Sequence, residues 1–299
     1  MFKSKELLAL HRSRVTTYDP EKLVFEGVED YDVYNISAPF LIDGQQVLAG
    51  RIEHRSNENS MIGLFSLTPS GTWNWLKDAV HLKLQDPFIT VVDDKIILGG
   101  VEVKFIEGRV EKWRTVFYRL DSLQKAEYLL AGPWGMKDIR LLELASHKLL
   151  ILTRPQGRKA ARGKIGVLLV SELSELSEAS LMNAPLLKNQ FIDIEWGGAN
   201  EMYLIDGRVC VLGHVGSKDK DNQLHYRAMT FELTTDFSGI LNPKIIAERK
   251  DFLSGPSKRP ELKDIVFSGG LTFDGSQTIL YVGTGDSEAQ KVTIDHPFR

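Results

Sequence analysis

Residues 86–103 read DPFITVVDDKIILGGVEV: an apolar run, a two-residue turn and a second apolar run. Taken alone this is one hairpin, but four other stretches repeat the design. They are APFLIDGQQVLAGRIE at 38–53, IRLLELASHKLLILTRP at 139–155, NEMYLIDGRVCVLGHVG at 200–216 and GGLTFDGSQTILYVGTGD at 269–286. The turns fall at Asp43-Gly44, Asp93-Asp94, Ser146-His147, Asp206-Gly207 and Asp274-Gly275, so successive turns are 50, 53, 60 and 68 residues apart. Asp-Gly favours a tight hairpin because both residues tolerate positive φ. Recurrence at about 50 residues with several strands per unit marks a β-propeller.

Each core hairpin is followed by a third strand: SMIGLFSLT, RTVFYRLD, KIGVLLVSEL, YRAMTFELT and AQKVTID. Outer strands are weaker, as in AEYLLAG and KIIAERKDF. The last unit runs out of chain at Arg299, and KLVFEGVED near the N-terminus is the candidate for its fourth strand. That pairing would close the ring without leaving an open seam. Trp73 and Trp75 alternate with polar residues, as on an outer strand. Helix signal is confined to residues 2–12 and to SELSELSEASLM, which also reads as a solvated connection. The expectation is an all-β, five-bladed β-propeller occupying residues 1–299 as one domain. Two β-sandwiches would explain the hairpins but not five copies of one type.

The bulk composition agrees. Of 299 residues, 42% are hydrophobic and 26% charged, the profile of a globular chain. A net charge of −3 argues against a nucleic-acid or membrane-surface binder. Cys210 is the only cysteine, so no disulfide framework exists within the chain. No stretch approaches the roughly 18 apolar residues of a membrane helix. A cytoplasmic protein is expected. No HExxH, CxxC, Walker loop or GxGxxG occurs, so neither a metal nor a bound cofactor is expected.

In a propeller, ligands gather where inner strands and connecting loops converge at one end of the channel. The polar residues flanking the core hairpins are therefore the candidates. They include Asp32, Asn35, Arg51, Glu53, Arg55 and Glu58 from the first unit, then Gln85, Asp86 and Glu102 from the second. Lys137, Asp138, Arg140, Arg154 and Gln156 follow from the third, and Asn200, Glu201, His214, His225 and Tyr226 from the fourth. Arg259, Lys263, Asp264, Ser268, Asp286 and Glu288 come from the fifth. Charges threaded into apolar strands, as in LAGRIEHR and LLILTRPQG, must be paired or face a wet cavity. Carboxylates and amides suit sugar hydroxyls, and arginine, lysine and histidine suit phosphate. The mixture fits a sugar and a phosphate together.

The ordered set GRIEHRSNENS, QDPF, KDIRLLEL, TRPQGR, VLGHV with HYRAMTFE, and KRPELKDIVFSGGL with GDSEA resembles a known family. It is similar to the five-bladed propeller mannosyltransferase/phosphorylases, long described as a domain of unknown function. That family acts on β-1,2-linked mannose oligosaccharides. It is related to the inverting mannoside phosphorylases, whose acid lies in Glu-Asp-Pro. Here Gln85 stands in place of that Glu.

The resemblance implies inverting transfer of mannose to or from inorganic phosphate, giving α-mannose 1-phosphate, with Asp86 as proton donor to the glycosidic oxygen. It implies Lys137, Arg154, His214, Tyr226 and Arg259 for phosphate. It implies Asn35, Arg51, Glu53 and Asp138 for mannose. A phosphorylase can dispense with the base that an inverting hydrolase needs, because phosphate is already a nucleophile.

Other readings stay open: a hydrolase with a second carboxylate, a nucleotide-sugar-dependent mannosyltransferase, or a non-catalytic sugar-binding propeller. Individual residues also have plainer readings. Arg51 and Glu53 could be a structural ion pair, and His214 a satisfied core histidine. Trp134 and Trp196 could stack on sugar or fill space. GRKAARGK at 157–164 could be a solvated loop or a lid.

Overall fold

The computed structural model describes residues 1–56, 59–275 and 277–299. Glu58 lies outside the described residues. Five sheets stand around one axis, as the hairpin repeat predicts. In blade two the strands Gln85–Val92, Lys95–Ile106, Arg109–Ser122 and Lys125–Ala131 run antiparallel from axis to rim. Blade four repeats this with Trp196–Ile205, Arg208–Lys218, Leu224–Leu233 and Ile240–Ala247. The hairpin turns have the geometry their residues suggest. Asp43 and Gly44, Asp93 and Asp94, and Asp206 and Gly207 all carry positive φ.

Blade three has a three-stranded sheet, Arg140–Glu143, Leu149–Thr153 and Gly166–Val170. Its outer position is taken by a partly paired segment, in which Val167 N–H reaches Pro185 O at 2.9 Å. The SELSELSEASLM stretch before it forms a 3₁₀ turn and the short helix Glu178–Met182. Ser177 caps that helix and Leu181 is buried, so the stretch is more than a solvated connection.

Ring closure follows the expected logic with a shifted strand. Blade five holds Val266–Asp274, Gln277–Thr284 and Glu288–Ile294, and its outer strand is the N-terminal segment Thr17–Lys22. Thr17 pairs with Ile294 and Lys22 with Gln290. KLVFEGVED therefore contributes only its first residue to the closing strand. Phe25–Glu26 instead runs parallel to Trp73–Trp75 on the rim of blade one. The helix expected over residues 2–12 spans Ser4–Arg12.

Between blades, leucine, isoleucine, valine and phenylalanine fill the space in five buried clusters. Cys210 is buried in one of them, and burial pushes its thiol up to about 11. No helix is long and apolar enough to cross a membrane among the described residues.

Candidate active site

Four of the five inner strands break their ladder near one end of the ring, and the fifth, in blade three, begins there. Blade one interrupts its inner strand between Tyr31–Tyr34 and Phe40–Ile42, with Asn35 at φ +46°. Blade two carries a bulge between Gln85 and Phe88, with Asp86 at φ +50°. Asp138, at φ +62°, precedes the first strand of blade three. Blade four shifts register between Ala199 and Glu201, around Asn200. Blade five shifts between Ser268 and Gly270. Such breaks re-aim side chains out of the alternating pattern. Here they gather Asn35, Asp86, Asp138, Asn200 and Ser268, all of them buried.

The first half of the site joins blades one, two and five. Asp86 Oδ1 accepts from Asn35 Nδ2 at 2.8 Å and from Arg51 Nη1 at 3.1 Å. Arg51 Nη2 donates to Glu53 at 2.5 Å, and its guanidinium lies 4.8 Å from the Tyr34 ring centroid. Glu53 also accepts from Tyr34 Oη at 2.8 Å and pairs with Lys258. Ser60 donates to Glu53 at 2.5 Å and accepts from Arg51 Nε and Gln85 Nε2. Gln85 thus supplies a donor to this network. The Arg51–Glu53 ion pair exists, and it is anchored to Asp86.

The second half joins blades three and four. Arg154 Nη1 holds Asp138 at 3.0 Å and Arg154 Nε donates to Gly197 O at 3.0 Å. His214 Nε2 lies 3.8 Å from Asp138, and its Nδ1 is 2.8 Å from Asn200 Oδ1. Tyr226 stacks on His214 with centroids 5.6 Å apart and accepts from Trp196 Nε1 at 2.6 Å. Gly198 admits this arrangement, because a Cβ there would lie 2.9 Å from Asp138 Oδ2. Arg140 links its neighbouring blades: its guanidinium sits 3.7 Å from the Phe88 ring centroid in blade two and donates to Asn200 O in blade four.

Electrostatics follow from burial set against these partners. Burial alone would raise Glu53, but Arg51 and the Lys258 and Ser60 hydrogen bonds pull it down to about 2. Asp138 is likewise held at about 2, chiefly by Arg154. Burial, helped by Arg154, Lys137 and Arg140, lowers His214 to about 3 against the pull of Asp138, so its imidazole is neutral. Burial lowers Arg140 to about 10 and raises Glu201 to about 7. Asp286, at φ +52° in the last hairpin of blade five, is pushed up by burial and by Asp86, against Arg51, Lys137 and Lys258.

The structure therefore brings Asn35, Arg51, Glu53 and Asp86 into one cluster and Asp138, Arg154, His214 and Tyr226 into a second. Lys137 acts electrostatically on Asp138 and His214 of the second cluster and on Asp286. Arg259 is 55% exposed and lies 3.4 Å from Glu261, and its neighbour Lys258 is the cation that reaches Glu53. Sequence reasoning did not select Lys258, Tyr34 or Ser60, and it listed Asn200 and Arg140 as candidates without giving them a role. Trp196 is buried and fills space beside Tyr226. Trp134 packs beneath Lys104, Lys112 and Arg114. The 157–164 segment is not simply solvated. Arg162 covers Trp196 at 4.0 Å, Lys164 is buried, and Gly163 packs directly on the Arg154 guanidinium. A trio of Asp93, Glu143 and His147 gathers at the turn ends of the inner strands of blades two and three, away from this site.

These features define a class: a five-bladed propeller with a buried, mixed-charge mouth. The chain belongs to the mannosyltransferase/phosphorylase family of such propellers, and residues 10–299 match the family model described as protein of unknown function, DUF1861. It is similar, at 31% identity and TM-score 0.91, to MPT-4, a mannose phosphorylase of Leishmania mexicana solved with a phosphate ion; 99% of this chain and 93% of that one are covered. It is similar, at 29% identity and TM-score 0.88, to MPT-1, a GDP-Man-dependent mannosyltransferase of the same organism, covering 99% and 94%. A β-1,2-mannobiose phosphorylase of Listeria innocua shares the fold at 14% identity and TM-score 0.67, over 94% and 96% of the two chains. No curated protein matches the sequence.

Proposed function

We propose that this protein catalyses inverting phosphorolysis of β-1,2-linked mannosides, and the reverse synthesis, with inorganic phosphate as co-substrate and no bound cofactor. The observation that carries the reading is the setting of Asp86. Its Oδ1 is fixed by Asn35 and Arg51, while Oδ2 has no hydrogen-bond partner among the described residues. Oδ2 is the atom to hold the proton. That proton passes to the glycosidic oxygen, directly or through a sugar hydroxyl, as the C1–O bond breaks. A phosphate oxygen attacks C1 from the opposite face and forms α-mannose 1-phosphate. Arg51 and Asn35 stabilise the carboxylate left on Asp86.

Phosphate is assigned to Lys137, Arg154, His214 and Tyr226, with Arg259 at the rim. Arg154 Nη2 and the buried Asn200 Nδ2 have no partner among the described residues and are available as donors. Asn35, Arg51, Glu53 and Asp138 frame the mannose. No dedicated base is required.

A second reading, transfer from a nucleotide sugar, is supported by the near-equal similarity to the mannosyltransferase. The test is to supply β-1,2-mannobiose with and without phosphate, and separately GDP-mannose with a mannose acceptor, using wild type and Asp86→Asn. Mannose 1-phosphate is expected only with phosphate, and Asp86→Asn should lower turnover about 10²–10⁴-fold. Free mannose without phosphate would indicate a hydrolase. Consumption of GDP-mannose alone would indicate the transferase. Near-normal turnover in Asp86→Asn would remove it from the acid role.

A further inference from the structure

Beside the buried charges, a cleft of about 650 Å³ opens between blades one and two. It is continuous with the candidate site, since Ser60 and Gln85 line the cleft and bond to each other, and Ser60 bonds to both Arg51 and Glu53. One wall is the hairpin of blade two. Its strands pass beyond the Gln85–Val101 pair and turn at Glu107-Gly108. The five steps from Val101 to Ile106, at about 3.4 Å each, carry the wall roughly 17 Å past the mouth. Alternation sends Val101, Val103 and Phe105 to the cleft, while Glu102 and Lys104 face Arg114 and Trp134 on the other side. Opposite stands Tyr31, whose ring is held edge-on by His54 and Trp75.

We infer that this cleft binds the sugar chain on the far side of the scissile bond: the leaving oligosaccharide in phosphorolysis and the acceptor in synthesis. The inference rests on the mannoside reading and adds where the chain lies. Sugar rings offer C–H faces to aromatic and aliphatic walls and hydroxyls to polar ones, and this cleft has both. Among the described residues no carboxylate lines it, and Lys83, Gln85 and Ser60 offer donors to hydroxyl groups. Its volume lies within the range of ligand pockets, about 300–1,000 Å³, and exceeds what one ring needs. The ring next to the bond would sit over Ser60 and Gln85, and further rings would run along Phe105 toward solvent.

Phe105→Ala removes the aromatic wall without touching the charge cluster, and Phe105→Trp keeps it. The measurement is kcat/KM, at saturating phosphate, over a ladder of β-1,2-mannooligosaccharides of increasing length. In wild type and Phe105→Trp, kcat/KM should climb beyond the disaccharide. Phe105→Ala should lose about tenfold on the longer members and under twofold on the disaccharide. Equal loss at every length, or no loss at any, overturns the assignment. If no member is turned over, the mannoside reading fails separately, and calorimetric titration of the same ladder decides the cleft. Affinity that rises with length in wild type and is flat in Phe105→Ala sustains it. Flat or absent binding in wild type overturns it.

Discussion

Glu201 sits close to the axis of the ring, accepting from Tyr203 and from Leu271 N–H, with Gly270 so near that a Cβ there would lie 2.5 Å from its Oε2. Burial raises its carboxyl from the ordinary 4.5 to about 7. The folded protein therefore keeps a proton that the unfolded chain releases between those two values. Stability from this group is full below the ordinary value and is lost as pH rises to about 7, with a constant penalty above. Glu201→Gln keeps the acceptor oxygen and cannot ionise. It should match wild type at pH 4 and be more stable at pH 8 by about 3 kcal/mol. Urea midpoints at the two pH values measure this, and an equal shift at both would show that packing is responsible. At this scale the sequence was informative about charge. Arg51 and Arg154 interrupt apolar runs, and a charge there needs a partner. Which partner was not legible: Asp86 lies 35 positions from Arg51, and Lys258 lies 205 from Glu53.

At the scale of the strand, the ladder breaks build the site, and four of its members solve the backbone problem themselves. Asn35, Asp86, Asp138 and Asp286 all sit at positive φ, which asparagine and aspartate tolerate better than other non-glycine residues. Their polar groups are thus delivered where the chain turns toward the axis. The hairpin repeat was readable because turn chemistry and alternation are local. The bulges were not, since a bulge is set by what the neighbouring blade allows. Gly283 shows this: a Cβ there would lie 2.0 Å from Asn35 Oδ1 and 2.6 Å from Asn35 N. Gly283→Ala should displace Asn35, break its bond to Asp86 and lower kcat/KM about tenfold or more. Gly44→Ala is the control. Nothing lies within 4 Å of that position, but its φ is +73°. It should cost about 1–2 kcal/mol of stability and leave kcat/KM unchanged. Equal activity in the two variants would detach Asn35 from Asp86 function.

For the whole ring, closure depends on the first 22 residues. The N-terminal helix is tied to the body of the propeller at several points. Ser4 donates to buried Glu195, His11 meets Asp251 at 2.7 Å, and Arg12 pairs with Glu248 at 2.6 Å. The strand that follows, Thr17–Lys22, completes blade five. The closing role of the N-terminus was legible because the last repeat is one strand short. The particular segment was not, because TYDPEK has no apolar alternation and is partly exposed along its length. Deleting residues 1–12 removes the helix contacts alone. Deleting 1–22 also bares Glu288–Ile294 as an edge strand, open to pairing with other chains. The longer deletion should therefore lower the melting temperature well beyond the shorter one and cause concentration-dependent aggregation. Light scattering during thermal unfolding would register both effects. Supplying residues 1–22 as a separate peptide should reverse them, because the lost strand only has to re-pair with an existing edge. If both deletions melt alike, the helix contacts hold the ring and the closing strand is dispensable.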